Sequence, residues 1–236
     1  MFNKFEAQAN FETALDKATE GSLDNIAREI SKDLVRVYQL IAIEYDEKGE
    51  AELSLQFFEK CLEMAHRVHD TDKEAECYQQ IANIYERNGE MNNAIDYLQK
   101  FLEISIESKN NEKQTQAYKR LSECESKNGN TTKAIEYLGA VLKIANNIPS
   151  RSAQAEATLG MGLLYNQAGR DHNIKKAAEY LESHFQLLRQ EQPLNQSSID
   201  SARVSIGIVQ ANQKIDAYKY MVLNNSTSQG NRTATH

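Results

Sequence analysis

Apolar and polar positions along this chain follow a helical period that restarts every 40 residues. From Tyr38 to Gly49 the stretch YQLIAIEYDEKG places an aromatic or apolar residue at its first, fourth and eighth positions and ends on glycine. The spacing returns in Tyr78–Gly89 (YQQIANIYERNG), in Tyr118–Gly129 (YKRLSECESKNG) and, more faintly, in Thr158–Gly169 (TLGMGLLYNQAG), with Thr158 and Glu125 as exceptions. Residues so spaced share one face of an α-helix, and the closing glycine is a stop signal. A second apolar stripe follows each copy: Ser54, Phe58 and Cys61; Ala94, Leu98 and Phe101; Ala134, Leu138 and Val141. The pattern predicts an all-α chain of repeated helix pairs, none of which can bury its apolar face alone.

The organisation follows from the period. Residues 1–32 hold N-terminal capping helices or a degenerate repeat, two alternatives that the pattern leaves open. Repeats occupy 33–71, 72–111, 112–149 and 150–192; a degenerate repeat or C-terminal cap covers 193–223, and the polar tail 224–236 has no apolar periodicity and reads as disordered. In the first repeat, helix A is expected from about Asp33 to Lys48 and helix B from about Ala51 to Val68. Thr71, three residues before Glu74, carries the capping-box spacing for the next helix start. The fourth repeat departs from the others: about three extra residues precede Ala177, and His184 stands where Cys61, Phe101 and Val141 stood.

Composition narrows the function. Two prolines and ten glycines in 236 residues suit a nearly all-helical chain. A net charge of −7 argues against a nucleic-acid partner. The sequence offers no membrane span and no signal peptide, and three cysteines (Cys61, Cys77, Cys124) without a C-x-x-C pair read as reduced thiols, so a cytoplasmic protein is expected. No catalytic set stands out. Gly129–Lys133 lacks P-loop order, His66 and His69 lack the further ligands a metal needs, and His184 reads as a packing residue. The expectation is no enzyme, no cofactor and no metal.

A large residue, Leu or Ile, a small residue, Tyr, Gly and Ala at this spacing, as in Tyr78, Ile81, Ala82, Tyr85, Gly89 and Ala94, resembles the tetratricopeptide repeat. The longer period is similar to that of the subgroup in kinesin light chains, LGN-type spindle adaptors and several axonemal proteins. The resemblance implies a solenoid of antiparallel helix pairs wound into a right-handed superhelix, with a concave groove lined by the A helices. It further implies a protein partner presenting a helical or extended segment, and membership of a large assembly. The phrases SLQFFEKCLEMAHRVHD, NNAIDYLQKFLEI and ARVSIGIVQANQK resemble a motile-cilia member of the family, which implies a role in axoneme assembly or structure, linked to dynein or intraflagellar transport. A peptide-binding adaptor of cytosolic signalling or motor–cargo type is the alternative.

On that geometry the groove residues are Gln39 and Ile43 in the first repeat, Gln79 and Asn83 in the second, and Lys119 and Glu123 in the third. Leu159 and Leu163 follow in the fourth, and Val204 and Ile208 beyond it. The expected groove is polar and mixed in charge, then apolar at its C-terminal end. Such an apolar stripe would seat a partner helix, or else be filled by the C-terminal helix folding back. The lysine and asparagine clamp of chaperone-binding members has only Asn83 and Lys119 as scattered matches.

Overall fold

The computed structural model describes residues 4–148, 150–169, 171–190 and 193–230. Among them are ten α-helices and no strand: α1 (Lys4–Glu20), α2 (Asp24–Glu47), α3 (Ala51–Val68), α4 (Thr71–Arg87), α5 (Met91–Glu107), α6 (Asn111–Lys127), α7 (Thr131–Asn147), α8 (Arg151–Gln167), α9 (Asp171–Arg189) and α10 (Gln196–Gly230). They form two compact units, 1–128 and 129–236, so the division falls inside the third repeat, between its two helices.

In the first unit each helix from α1 to α6 packs against the next. The reason is visible where α2 meets α3. Ala42 and Ser54 are small and wholly buried, and the Ser54 hydroxyl donates to Ala42 O at 2.8 Å. Ala82 and Ala94 take those places one repeat later, both with no exposure. Small side chains there let the backbones approach, and the larger Ile41, Phe58, Ile81 and Leu98 fill the space on either side. Towards the turn of each of these two pairs the rings stack: Tyr45 on Phe57 at 5.6 Å and 13°, Tyr85 on Tyr97 at 5.7 Å and 22°. Lys60 lies over the Phe57 and Tyr38 rings, 5.3 and 5.6 Å away, and Lys100 over the Tyr97 and Tyr78 rings, 4.6 and 5.9 Å away.

Two kinds of turn alternate. Within a repeat, Gly49 and Gly89 adopt φ of +79° and +80°, and Glu50 and Glu90 N–H groups reach back to Tyr45 O and Tyr85 O at 2.9 Å. This reversal satisfies carbonyls that the helix end would leave unpaired. Between repeats, His69 and Lys109 take the left-handed conformation (φ 57° and 53°), and the next residue caps the following helix. Asp70 Oδ1 accepts from Lys73 N at 3.1 Å, and Asn110 Oδ1 from Lys113 N at 3.0 Å. The cap of α4 is therefore Asp70, one residue earlier than the Thr71 capping box expected: its carboxylate already satisfies the orphan donor, and Thr71 is the first helical residue. Ser150 plays the same part for α8 in the second unit, accepting from Ala153 N.

One helix, α1, packs on α2, and α2 runs unbroken for 24 residues through the expected boundary at 32. No glycine or proline interrupts Asp24–Glu47, so the pattern through Ile26, Ile30 and Leu34 continues as one helix with the first repeat's helix A.

In the second unit α7 packs on α8, α8 on α9, and α9 on α10. The three extra residues of the fourth repeat join the start of α9: Ala177 is its seventh residue, whereas Ser54 is the fourth of α3. The insertion is thus absorbed as nearly one helical turn. Gly162 brings α8 and α9 together, since a Cβ there would stand 2.6 Å from Leu181 Cγ. The segment 193–223 is no helix pair. A single 35-residue helix, α10, stands in its place and continues through 224–230, part of the stretch read as a disordered tail. The sequence between Ile199 and Leu223 has no proline, and its lone Gly207 sits mid-helix with open space beside it. Nothing there costs enough to stop a propagating helix. Residues 231–236, the rest of the expected tail, lie outside the described residues.

Candidate interaction surfaces

The A helices of the first unit are α2, α4 and α6. Of their expected groove residues, Gln39 and the Gln79 carbonyl are held in a web of charge within the chain. Lys73 Nζ lies 2.6 Å from Glu76 Oε2 and 3.2 Å from Gln39 Oε1, and Gln39 Nε2 donates to the same Glu76 oxygen at 3.3 Å. Arg120 sends Nε and Nη2 to Glu86 Oε1 (3.1 and 2.7 Å) and Nη1 to Gln79 O (3.4 Å). Arg87 pairs with Asp46, and Lys113 with Asp72 at 2.6 Å. These contacts tie each A helix to the next, and they occupy groups that would otherwise greet a ligand.

Elsewhere on this face, Asn83 donates to Gln80 on its own helix at 3.1 Å, while Ile43 and Glu123 are exposed. Lys119 is half-buried. The clamping bases Lys73, Arg87, Lys113 and Arg120 were not among the expected site residues. Three of the links, Asp46 to Arg87, Asp72 to Lys113 and Gln79 to Arg120, share a sequence separation of 41. That is one repeat plus one residue, a signal that a search for charges at the repeat lag would have met.

In the second unit the four apolar residues expected to line a groove separate. Leu159 is half-buried against Ile174, Ala177, Leu181 and Val209, so it belongs chiefly to packing. The glycine contact at 162 lets α9 approach α8 beside it. Leu163 on α8 is exposed, as are Val204 and Ile208 on α10. Asn166 accepts from Asn212 Nδ2 at 2.9 Å, linking α8 to the middle of α10.

A cleft of about 450 Å³ opens between α7, α8 and α9, lined by Leu142, Gln154, Thr158, Tyr180 and Leu187 among others. Its cause is a substitution at the repeat lag. Where Tyr38 and Tyr78 lean on Phe57 and Tyr97 at 6.2 Å, the fourth repeat has Thr158, whose hydroxyl turns back to Gln154 O at 2.8 Å. The missing ring leaves the space beside Tyr180, which stacks on Tyr165 at 5.6 Å and 4°.

Of the residues weighed for chemistry, His184 and the cysteines serve packing. His184 is buried and its Nδ1 lies 2.8 Å from Ala155 O; a carbonyl only accepts, so Nδ1 carries the proton. His66 Nδ1 lies 3.3 Å from Glu74 Oε1, and His69 ends α3 in the left-handed turn. All three cysteines are buried thiols: Cys77 Sγ donates to Cys61 Sγ at 3.2 Å, and Cys61 Sγ to Val35 O at 3.3 Å. The hydrogen bond with Cys61 and burial push the Cys77 thiol far up, and burial pushes Cys124 up to about 12. Such thiols are poor nucleophiles. Among the described residues no helix is long and apolar enough to cross a membrane, and no group of three or more His, Cys, Asp or Glu is placed to hold a metal ion.

Helix pairs in series, with small residues at the crossing, glycine inside each repeat and a capping residue between repeats, define an α-helical repeat protein. Residues 33–107 match the family model described as tetratricopeptide repeat. Solved structures agree in fold. BtubC (BKLC) from P. vanneervenii superposes with a TM-score of 0.64 at 15% identity, covering 100% of this chain and 94% of the other. RapI in its apo form gives 0.69 at 13% identity, over 91% of this chain and 58% of RapI. A Podosopora anserina putative kinesin light chain with nearly identical TPR-like repeats gives 0.57 at 14% identity, over 86% and 97%. No curated protein sequence matches this chain significantly.

Proposed function

We propose that this chain is a non-catalytic scaffold that holds protein partners on the faces of its A helices. The observation that carries the reading is a contrast between those faces. In α2, α4 and α6 the polar groups of Gln39, Glu76, Glu86 and Arg120 are engaged in links between repeats, whereas Leu163 on α8 and Val204 and Ile208 on α10 are left apolar and exposed. Exposed apolar residues on a rigid repeat are what a helical or extended partner segment would cover. Leu163→Asp tests this directly, because the side chain is exposed and its replacement leaves the core intact. Loss of a copurifying partner with unchanged helicity supports the reading, and unchanged capture refutes it. Leu159→Asp is unsuited to the purpose, since that side chain packs against α9 and α10.

The finer placement, an axonemal adaptor linked to dynein or intraflagellar transport and part of a large assembly, rests on the three sequence phrases that resemble a motile-cilia member. A tagged copy in a ciliated cell tests it. Concentration along the axoneme supports it; a diffuse signal puts the cytosolic peptide-adaptor reading in its place.

A further inference from the structure

The aromatic rings of the first two repeats stand in rows of three, and the same row in the fourth repeat stops at two. In the first repeat Phe57 meets Tyr45 at 5.6 Å and Tyr38 at 6.2 Å, the latter tilted by 46°. In the second, Tyr97 meets Tyr85 at 5.7 Å and Tyr78 at 6.2 Å and 47°. The third ring thus takes the same distance and the same tilt in both rows. In the fourth repeat Tyr180 follows Ala177 by three residues, as Phe57 follows Ser54, and it keeps its stack on Tyr165. Thr158, seven residues before Tyr165, holds the place of Tyr38 and Tyr78. The row ends in the cleft that Thr158 and Tyr180 line.

That cleft has the size and the walls a ring needs. Its volume of about 450 Å³ falls within the roughly 300–1,000 Å³ of small-ligand clefts. Leu142 and Leu187 give it apolar wall, and half-buried Tyr180 gives it a π surface. The polar groups beside them are already engaged. The Thr158 hydroxyl donates to Gln154 O and Ala155 O on its own helix, and Gln154 Nε2 donates to Ala145 O and Asn146 Oδ1. Lys176 and Glu179 on the lining are opposite in charge. The site therefore favours a neutral ring over an ion. One feature of the other rows is changed as well. Lys60 lies 5.6 Å from the Tyr38 ring and Lys100 5.9 Å from the Tyr78 ring, whereas the same register puts the short, exposed Ser183 in the fourth repeat.

We propose that the cleft between α7, α8 and α9 binds an uncharged aromatic ring of phenol size, seated against Tyr180 as Tyr38 sits against Phe57. A tyrosine side chain of a partner segment and a free phenol share this chemistry. The probes are p-cresol, which is the tyrosine side chain alone, and the peptide acetyl-Gly-Ser-Tyr-Ser-Gly-amide, each titrated into the isotope-labelled full chain and followed by NMR. Saturable shifts of the Gln154, Thr158, Tyr180 and Ser183 amides are expected, in the millimolar range for p-cresol. A peptide that binds more tightly than p-cresol assigns the ring to a partner's tyrosine; one that binds no more tightly assigns it to a free aromatic molecule. The saturated analogue methylcyclohexanol should bind about fivefold more weakly than p-cresol. Thr158→Tyr supplies the third ring from the chain itself, and should raise Tm by about 2–4 °C and abolish both titrations. Ser183→Lys restores the covering cation at an exposed position and should tighten p-cresol by about twofold to fivefold. The proposal is overturned by absence of saturable shifts at these amides, by equal binding of the saturated analogue, or by a folded Thr158→Tyr chain that still binds. Should Thr158→Tyr fail to fold, Ser183→Lys decides, since unchanged p-cresol affinity there overturns the proposal as well. Leu163 does not line the cleft, so Leu163→Asp judges the scaffold reading separately.

Discussion

The phenolic hydroxyl of Tyr38 donates to Glu12 Oε1 at 2.7 Å, fastening α1 to the first repeat's A helix. Burial opposes the Glu12 charge, yet hydrogen bonds from Tyr38 and Gln8 and the nearby Lys60 hold its carboxyl below the usual range. Burial and the same bond raise the Tyr38 phenol. A depressed carboxylate contributes stability above its ordinary titration range, and that contribution is lost as pH falls through the folded-state value. Glu12→Ala should therefore speed amide exchange in α1 with a cost of about 1 kcal/mol, discounted for the partial exposure of the pair. It should also flatten the acid limb of stability against pH. Unchanged exchange in α1 would contradict this.

Gly162 and Gly207 make opposite predictions for the same change. At Gly162 an added Cβ meets Leu181 Cγ at 2.6 Å and Cδ2 at 2.8 Å, with Ala177 O behind at 3.4 Å. Gly162→Ala should cost about 1–3 kcal/mol in urea unfolding as α8 and α9 are pushed apart. At Gly207 nothing lies within 4 Å, so Gly207→Ala should gain roughly 0.5–1 kcal/mol from helix propensity alone. Equal effects of the two would undermine the close crossing at 162.

Arg120 and Glu86 are both mostly shielded, with side chains 15% and 20% exposed. Arg120→Met strands the Glu86 carboxylate and should destabilise by about 2–3 kcal/mol, while Arg120→Met with Glu86→Met should recover a good part of the loss. A double-mutant cycle with no coupling would show that the bridge between α4 and α6 carries no energy.

The buried thiols should resist iodoacetamide at neutral pH and label only at the rate at which the fold opens, a rate that rises with urea. Because burial raises the Cys124 thiol to about 12 in the folded chain, its contribution is whole below the ordinary thiol range and is lost as pH climbs through that range towards the folded value. Cys124→Ser should lessen the alkaline loss of stability. Rapid labelling of all three thiols in native conditions would be inconsistent with their burial.

The repeated helices were legible because sterics and periodicity act locally. Ala82, Ala94 and Gly89 mark a crossing and a turn wherever they recur, and the structure places them there. The Asp70 cap was one residue from the expected Thr71, since both residues can cap and only backbone geometry chooses. The undivided α10 was hidden by its low-grade pattern: apolar residues on two opposite faces mimic a broken stripe. The links Lys73–Gln39 and Arg120–Glu86 join positions a repeat apart, and reading them needed pairs of copies side by side. Leu159 and Leu163 look alike in sequence, and the approach of Val209 separates their roles.

The lag of 41 between bridging partners has a consequence for shortening the chain. Excision of residues 72–111, one whole period, would rejoin helices whose turns and crossing residues already agree. It would bring Arg120 to Asp46, a carboxylate in place of Glu86, and to Gln39 in place of Gln79. It would also bring Lys113 to Lys32 in place of Asp72, and set Cys61 where Phe101 now fills the space beside Ala117. The array is therefore modular in its backbone and individual in its joints. Length can be edited in 40-residue steps, and each edit must be mended at one charge and one side-chain volume.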